Sequence, residues 1–309
     1  MTFVKALATA ACTLLMSALQ SNAQSDVPKL GVYDPHGQLR SQGDISIEHV
    51  FVSWQTFRPE DLHLAASDAK TLGRQLMITV EPWTRAVNMK DGRATLLSEV
   101  AGGGFDREIT SICQEIGATG SPIMVSWGHE MDEMEGRFPW ANHDPTVFQK
   151  AYRHFVDQCR QFAPAARFGW TPKGEQTMGT YYPGSAHVDY IGLTLFDVQS
   201  WNRDHRDWRT LDDKFGALHS QIAGFGKTVV LAEFGVEGDE AYRQQALACA
   251  RDRFRKFPNL EAIVYFNDRE TWRWPEPYGR PDWRIADLRH LQCEREEATG
   301  RTLQAKAIH

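Results

Sequence analysis

The sequence predicts a single (β/α)8 barrel, and three observations point there. Short β-branched or apolar runs alternate with amphipathic helical stretches, the pattern of a mostly parallel sheet. Eight such runs can be counted, which favours closure over an open doubly wound sheet. No G-x-G-x-x-G follows the first run and no P-loop occurs, so neither nucleotide-binding signature is present.

The strands are expected at Leu30–Tyr33, His49–Trp54, Gln75–Val80, Pro122–Trp127, Arg167–Thr171, Tyr190–Leu195, Thr228–Glu233 and Ala262–Phe266. Between them, Glu60–Leu72 puts Leu62, Leu64, Ala65, Ala69 and Leu72 on one side, and Asp106–Ile116 carries Ile109, Ile112, Cys113 and Ile116 at helical spacing. Pro145–Phe162 opens on Asp144-Pro145, an N-cap followed by proline at the first helical position. Leu211–Ile222, Ala241–Phe257 and Ile285–Glu294 complete the helices, and the segment between strands five and six shows no clear one.

The first residues stand outside this pattern. Lys5 precedes an apolar stretch, Ala6–Leu19, too short and too weakly hydrophobic to span a membrane. Ser21-Asn22-Ala23 then offers the small residues a signal peptidase reads, so residues 1–23 are expected to be a signal peptide removed before Gln24. Cys12 lies inside the apolar stretch rather than at the cleavage site, which argues against a lipid anchor. Residues 24–309 are then one barrel domain, secreted or periplasmic. Removing the leader leaves Cys113, Cys159, Cys249 and Cys293. An even number in an exported protein suggests two disulfides, and the helix placement suggests Cys113–Cys159 and Cys249–Cys293, against free buried thiols.

The net charge is −6 with no basic block, so nucleic acid is not an expected partner. No cysteine or histidine cluster has metal-ligand spacing, and His129-Glu130 does not continue as H-E-x-x-H. The acidic loop Asp132-Glu133-Met134-Glu135-Gly136-Arg137 lacks the alternation of a Ca²⁺ loop and reads as solvated. No metal or cofactor is expected, and the chain is expected to act as a monomer.

In such barrels chemistry gathers where strands end and βα loops begin. Strand four runs through Trp127 into Gly128-His129-Glu130-Met131-Asp132; strand seven ends at Glu233-Phe234-Gly235. Each leaves a carboxylate at the mouth, and strands four and seven face each other. Two opposed carboxyls are what retaining glycoside hydrolysis needs, one protonated as acid/base and one as nucleophile.

Trp127-Gly128-His129-Glu130-Met131-Asp132, followed by Phe138-Pro139-Trp140 and Ala151-Tyr152-Arg153-His154, resembles glycoside hydrolase family 26. Tyr181-Tyr182-Pro183-Gly184 with Val188-Asp189-Tyr190-Ile191-Gly192 is similar to that family's approach to strand six, and Leu231-Ala232-Glu233-Phe234-Gly235 to its nucleophile strand. The similarity runs from Leu30 to about Trp274. It implies a retaining endo-β-glycanase with Glu130 as acid/base, Glu233 as nucleophile, His129 in the sugar site, and a polysaccharide as partner. The commonest substrate of the family is β-1,4-mannan. Mixed-linkage β-1,3-1,4-glucan is the alternative, because Phe138-Pro139-Trp140 departs from the tryptophan-rich run of many mannanases. A second alternative is a non-hydrolytic carbohydrate-binding protein.

One departure concerns the nucleophile. The family usually places an aromatic hydroxyl at the end of strand six, where this chain has Phe196, so Tyr190, Tyr265 or another donor would have to orient Glu233. Among ten tryptophans, Trp54, Trp83, Trp140, Trp272 and Trp274 follow strand ends, while Trp127 and Trp170 lie within strands as core. Trp140 and Trp272, with Trp83, are the candidates for stacking on sugar rings, and Glu81 for bonding sugar hydroxyls.

Overall fold

The computed structural model describes residues 27–84 and 90–293, so the expected leader lies outside the described residues. Eight parallel strands close into one barrel, each bonded to its sequence neighbours and the last to the first. They are β1 Lys29–Tyr33, β2 Ile45–Ser53, β3 Gln75–Glu81, β4 Met124–Trp127, β5 Arg167–Trp170, β6 Tyr190–Val198, β7 Thr228–Glu237 and β8 Leu260–Phe266. The strands are buried on both faces, which is why they read as near-continuous apolar runs.

Around them lie α1 Pro59–Thr71, α2 Lys90–Ala101, α3 Asp106–Ala118, α4 Pro145–Phe162, α5 Gln199–His205, α6 Leu211–Ile222, α7 Glu240–Leu247 and α8 Ala250–Arg253. The opening of α4 follows its sequence: the Asp144 carboxylate accepts from the Thr146 N–H at 2.7 Å with Pro145 behind it. Its apolar face buries Phe148, Tyr152, Phe155, Val156 and Cys159, and Cys159 is bonded to Cys113 of α3.

Three expectations needed correction. The helix expected over Ala241–Phe257 breaks into α7, α8 and a 3-10 turn at Phe254–Lys256, because Cys249 takes a left-handed conformation (φ 53°) and its N–H donates to the His290 carbonyl. The expected helix at Ile285–Glu294 is irregular as far as it is described, apart from a 3-10 turn at Arg289–Leu291. Asp287 there accepts the Arg289 N–H two residues on, a local pattern that competes with helix formation. The second disulfide, Cys249–Cys293, therefore ties an inter-helix turn to an irregular segment rather than joining two helices. Conversely, α2 and α5 were not expected.

Inside the barrel the lower tier is apolar: Ile47, Met77, Met124, Tyr190, Val230, Ala232, Ala262 and Val264 form one buried cluster. Tyr190 fits only because residue 169 is glycine; a Cβ there would meet the phenol ring at 2.1 Å. Above this floor runs a polar tier, in which His49 Nε2 lies 2.8 Å from Thr79 Oγ1 and Thr79 lies 2.9 Å from Ser126. Burial pushes His49 down to about 3, so this tier is uncharged at neutral pH. Charge begins one layer higher, at the strand ends.

Candidate active site

The two glutamates reach the mouth by different backbone devices. After Trp127 the chain turns at Gly128 (φ 58°), whose N–H donates to Val80, and Glu130 itself holds a left-handed conformation (φ 51°). A non-glycine residue at positive φ is strained, and here a 2.7 Å bond from the Glu130 N–H to the Thr171 carbonyl holds it.

Glu233 stays within β7. Leu231 packs in the outer core and Ala232 in the inner cluster, so simple alternation would send Glu233 outward again. Instead the register slips by one residue. Leu193 pairs with Leu231, but Thr194, the next residue on β6, pairs with Glu233. On the other side Leu231 pairs with Ile263 and Phe234 with Tyr265, the same extra residue. This bulge turns Glu233 inward beside Thr194, a re-aiming that bulges commonly perform near active sites.

Both side chains are buried, Glu130 4 % and Glu233 8 % exposed. Burial is the largest cause raising each: Glu130 is held up to about 7, opposed by Arg137 and Lys173, and Glu233 is held well above the usual carboxylate range by burial and then by the charge of Glu130. Two carboxyls that repel each other's ionisation titrate as a unit, so the pair retains a proton into the neutral range.

Glu130 lines a cleft of about 340 Å³ together with Arg137, Lys173, Thr194, Phe196, Trp201, Glu270, Trp272 and Trp274. Glu233 does not line it, but pairs across the β6–β7 ladder with Thr194, which does. A larger hollow of about 670 Å³ opens between α5, α6 and α7 outside the barrel, and neither glutamate lines it.

The other expected site residues divide. Trp272 is 40 % exposed on the cleft, where an indole face is available. Phe196 lines the cleft and stacks on Trp283 at 4.6 Å. Glu81 closes β3 and is pushed up to about 7 by burial while bonding to the Trp83 side chain; neither lines the cleft itself. Trp140 is a correction: it is fully buried, stacked on Phe138 at 4.7 Å with its indole N–H on the His129 carbonyl at 2.7 Å, so it cannot stack on a sugar. His129 is also buried, caged by Phe51, Phe138 and Trp140, and burial holds it neutral. It supports the loop and leaves almost no surface for a ligand.

Neither tyrosine considered as a partner for Glu233 serves. Tyr265 donates to the Trp283 carbonyl at 2.7 Å, and Tyr190 lies in the lower tier, facing Arg167. The acidic loop is solvated only in part: Met134 and Glu135 are exposed, but Asp132 and Glu133 are buried. The Asp132 carboxylate is buried and accepts the N–H groups of Lys173, Gly174 and Glu175 at 2.7–2.9 Å, tying the β4 loop to the β5 loop. Glu133 accepts from Gly136 and Arg137 in the same way. Both carboxylates cap backbone, and the described residues hold no cluster fit to bind a metal ion.

Arg137, Lys173, Trp201 and Glu270 line the cleft beyond the residues expected from the sequence. Glu270 was accessible to the strand-end rule, lying four residues past β8; Arg137 was the one cation in an acidic loop; Trp201 sits on the unexpected α5.

No family model matches the chain. In sequence it is 25 % identical over 212 residues to a β-1,3-xylanase from Vibrio sp, covering 60 % of this chain and 45 % of that protein. It is 23 % identical over 115 residues to a β-1,3-xylanase from Alcaligenes sp, covering 35 % and 24 %. The chain thus spans less than half the length of these curated relatives. Among solved structures, the catalytic domain of a Bacillus sp GH26 endo-β-1,4-mannanase matches with TM-score 0.59 at 14 % identity over 78 % of this chain and 77 % of that one. A GH26 β-mannanase from Bacteroides ovatus matches with TM-score 0.57 at 13 % identity over 78 % of each. At such identities these likenesses establish the fold.

Proposed function

We propose that the chain is a retaining endo-β-glycanase of the GH26 kind, with Glu130 as acid/base and Glu233 as nucleophile. The observation that carries this reading is the pair itself: two buried carboxyls, one just past β4 and one within β7, each brought to one mouth by a backbone irregularity. A polysaccharide lying across the cleft would present its glycosidic oxygen to Glu130, whose burial keeps a proton near neutral pH. Glu233 would attack the anomeric carbon as the leaving chain takes that proton. Glu130, now a carboxylate, would then draw a proton from the water that releases the glycosyl-enzyme. Trp272 offers the stacking face for a sugar ring.

For the polymer, β-1,3-xylan ranks first, because the sequence relatives are β-1,3-xylanases and match at higher identity than the mannanase structures do. β-1,4-Mannan, the substrate in the name of the Bacillus sp structure, is the second reading. The two disulfides fit an oxidising compartment, in keeping with secretion.

Reducing-sugar release from β-1,3-xylan, mannan and lichenan, with product lengths, tests the substrate. Glu233→Ala should lose at least about 10⁴-fold in kcat on every substrate, whereas Glu130→Ala should keep most activity on aryl glycosides whose leaving group needs no proton. Equal losses on both substrate types would remove the acid/base assignment. Binding without cleavage of any polymer would favour the non-hydrolytic reading.

A further inference from the structure

Arg137 and Glu270 form a bridge over the cleft that the reaction as described does not use. Arg137 belongs to the β4 loop, where its own N–H is fixed on Glu133 at 2.9 Å. Its guanidinium lies over the Phe138 ring, 4.8 Å from the centroid, and donates Nη2 to Glu270 Oε1 at 3.0 Å and Nη1 to Oε2 at 3.4 Å. Glu270 belongs to the β8 loop, and its side chain is 3 % exposed. The same Oε1 accepts the Trp272 N–H at 2.9 Å, so the ion pair and the exposed sugar-stacking candidate share one oxygen. Burying an ion pair costs desolvation that its attraction often fails to recover, so stability is a weak reason for this one.

We propose that Arg137, forked onto Glu270, is a positioning residue with two tasks: from the cleft wall it shares with Glu130 it lends its charge to the carboxyl pair, and it anchors the loop that presents Trp272. This deepens the glycanase reading and rests on it.

Charges around the bridge make the first task specific. Glu81 faces it from β3, Glu130 from the β4 loop, Glu233 from β7 and Glu270 from the β8 loop, and all four act on Arg137. Asp132 is occupied by three backbone N–H groups, and Lys173 is divided among Glu130, Glu133, Glu135 and Glu175. His129 is kept neutral. On β1, Tyr33 feels Asp268, Glu81 and Glu233 and stays protonated. Arg137 thus opposes the burial of both carboxyls, and without it the pair would hold its proton to higher pH.

The test is the pH profile of kcat/KM together with the split between KM and kcat. Arg137→Met should move the acidic and basic limbs up by about one pH unit and raise KM for the polymer several-fold. Glu270→Gln should move the limbs the other way, since it deletes a carboxylate and leaves the guanidinium less shared, while also raising KM. Arg137→Lys keeps the charge and loses the fork, so its limbs should stay with the wild type while KM still rises. A merely structural bridge would lower activity in all three with unmoved limbs, and that result, or limbs moving the same way in Arg137→Met and Glu270→Gln, overturns the proposal. ¹³C NMR titration of glutamate-labelled wild-type and Arg137→Met protein reads the pair's ionisation without any substrate. If no glycan is cut, the functional reading fails alone, and an unshifted titration separately sinks the role of Arg137.

Discussion

The β4 and β7 walls of the cleft solve one problem in opposite ways. On β4 the strand has already ended when Glu130 is reached, and the carboxylate is presented by a left-handed residue hung on the Thr171 carbonyl. On β7 the strand continues to Glu237, and the carboxylate is presented by an inserted residue that reverses its facing. The first wall stores strain in one dihedral angle and surrounds its carboxyl with Arg137 and Lys173. The second keeps extended backbone and places its carboxyl where the strongest neighbouring charge is Glu130 itself. A regular barrel would send neither side chain to the same point, so it is the irregularities that make the site.

The largest effect on stability should come from the buried charge. Glu130 sits near 7 in the folded chain against about 4.5 unfolded, so the folded state holds the extra proton between those values. Its contribution is fully present below about pH 4.5 and is lost as pH rises through 7. Thermal unfolding of wild type and Glu130→Gln should therefore nearly coincide at pH 4.5 and diverge in favour of Glu130→Gln by pH 8, by several degrees. Parallel curves would mean that the carboxyl is already ionised at low pH and the β4 wall is not its desolvating side.

A smaller effect isolates the backbone. At Glu130 glycine relieves the left-handed angle, so Glu130→Gly should be about 1 kcal/mol more stable than Glu130→Ala. At Glu233, which holds no positive φ, the order should reverse, with Glu233→Gly about 1 kcal/mol below Glu233→Ala. Comparing each glycine with the alanine at the same site cancels the loss of the carboxyl. The same sign at both sites would erase the contrast drawn between the walls.

These two positions also mark how far the sequence could be read. All eight strands were visible because both faces of a barrel strand are apolar, and Glu130 and Glu233 were visible because carboxylates at strand ends break that pattern. The bulge was not visible: Ala232-Glu233 differs in no composition signal from a strand that simply ends. Trp140 was misjudged because position after a strand says where a side chain starts, not which way the loop folds it; Gly128 turns the chain so that the indole goes beneath His129. Glu270 and Arg137 escaped notice because their pairing spans 133 residues. The break at Cys249 escaped for a similar reason, since it is held by a hydrogen bond from its N–H to the distant His290 carbonyl.

The smallest predicted change addresses what the β7 wall lacks. Among the described residues no hydrogen bond reaches the Glu233 carboxylate, and Phe196, paired with Gly235 across the β6–β7 ladder, offers only ring carbons. Phe196→Tyr adds a single phenol at the cleft edge, next to the Trp283 ring on which residue 196 already stacks. A donor to a carboxylate stabilises its charged form, so the acidic limb of the kcat profile should move to lower pH by less than about one unit, with a rate change under about tenfold. Thermal stability should hardly move, because residue 196 lines the open cleft and is only partly buried. If the limb shifts, Glu233 in the native chain is a nucleophile held by burial and charge alone. If it stays, the phenol does not reach the carboxylate, and the bulge rather than the residue at 196 decides what Glu233 can touch.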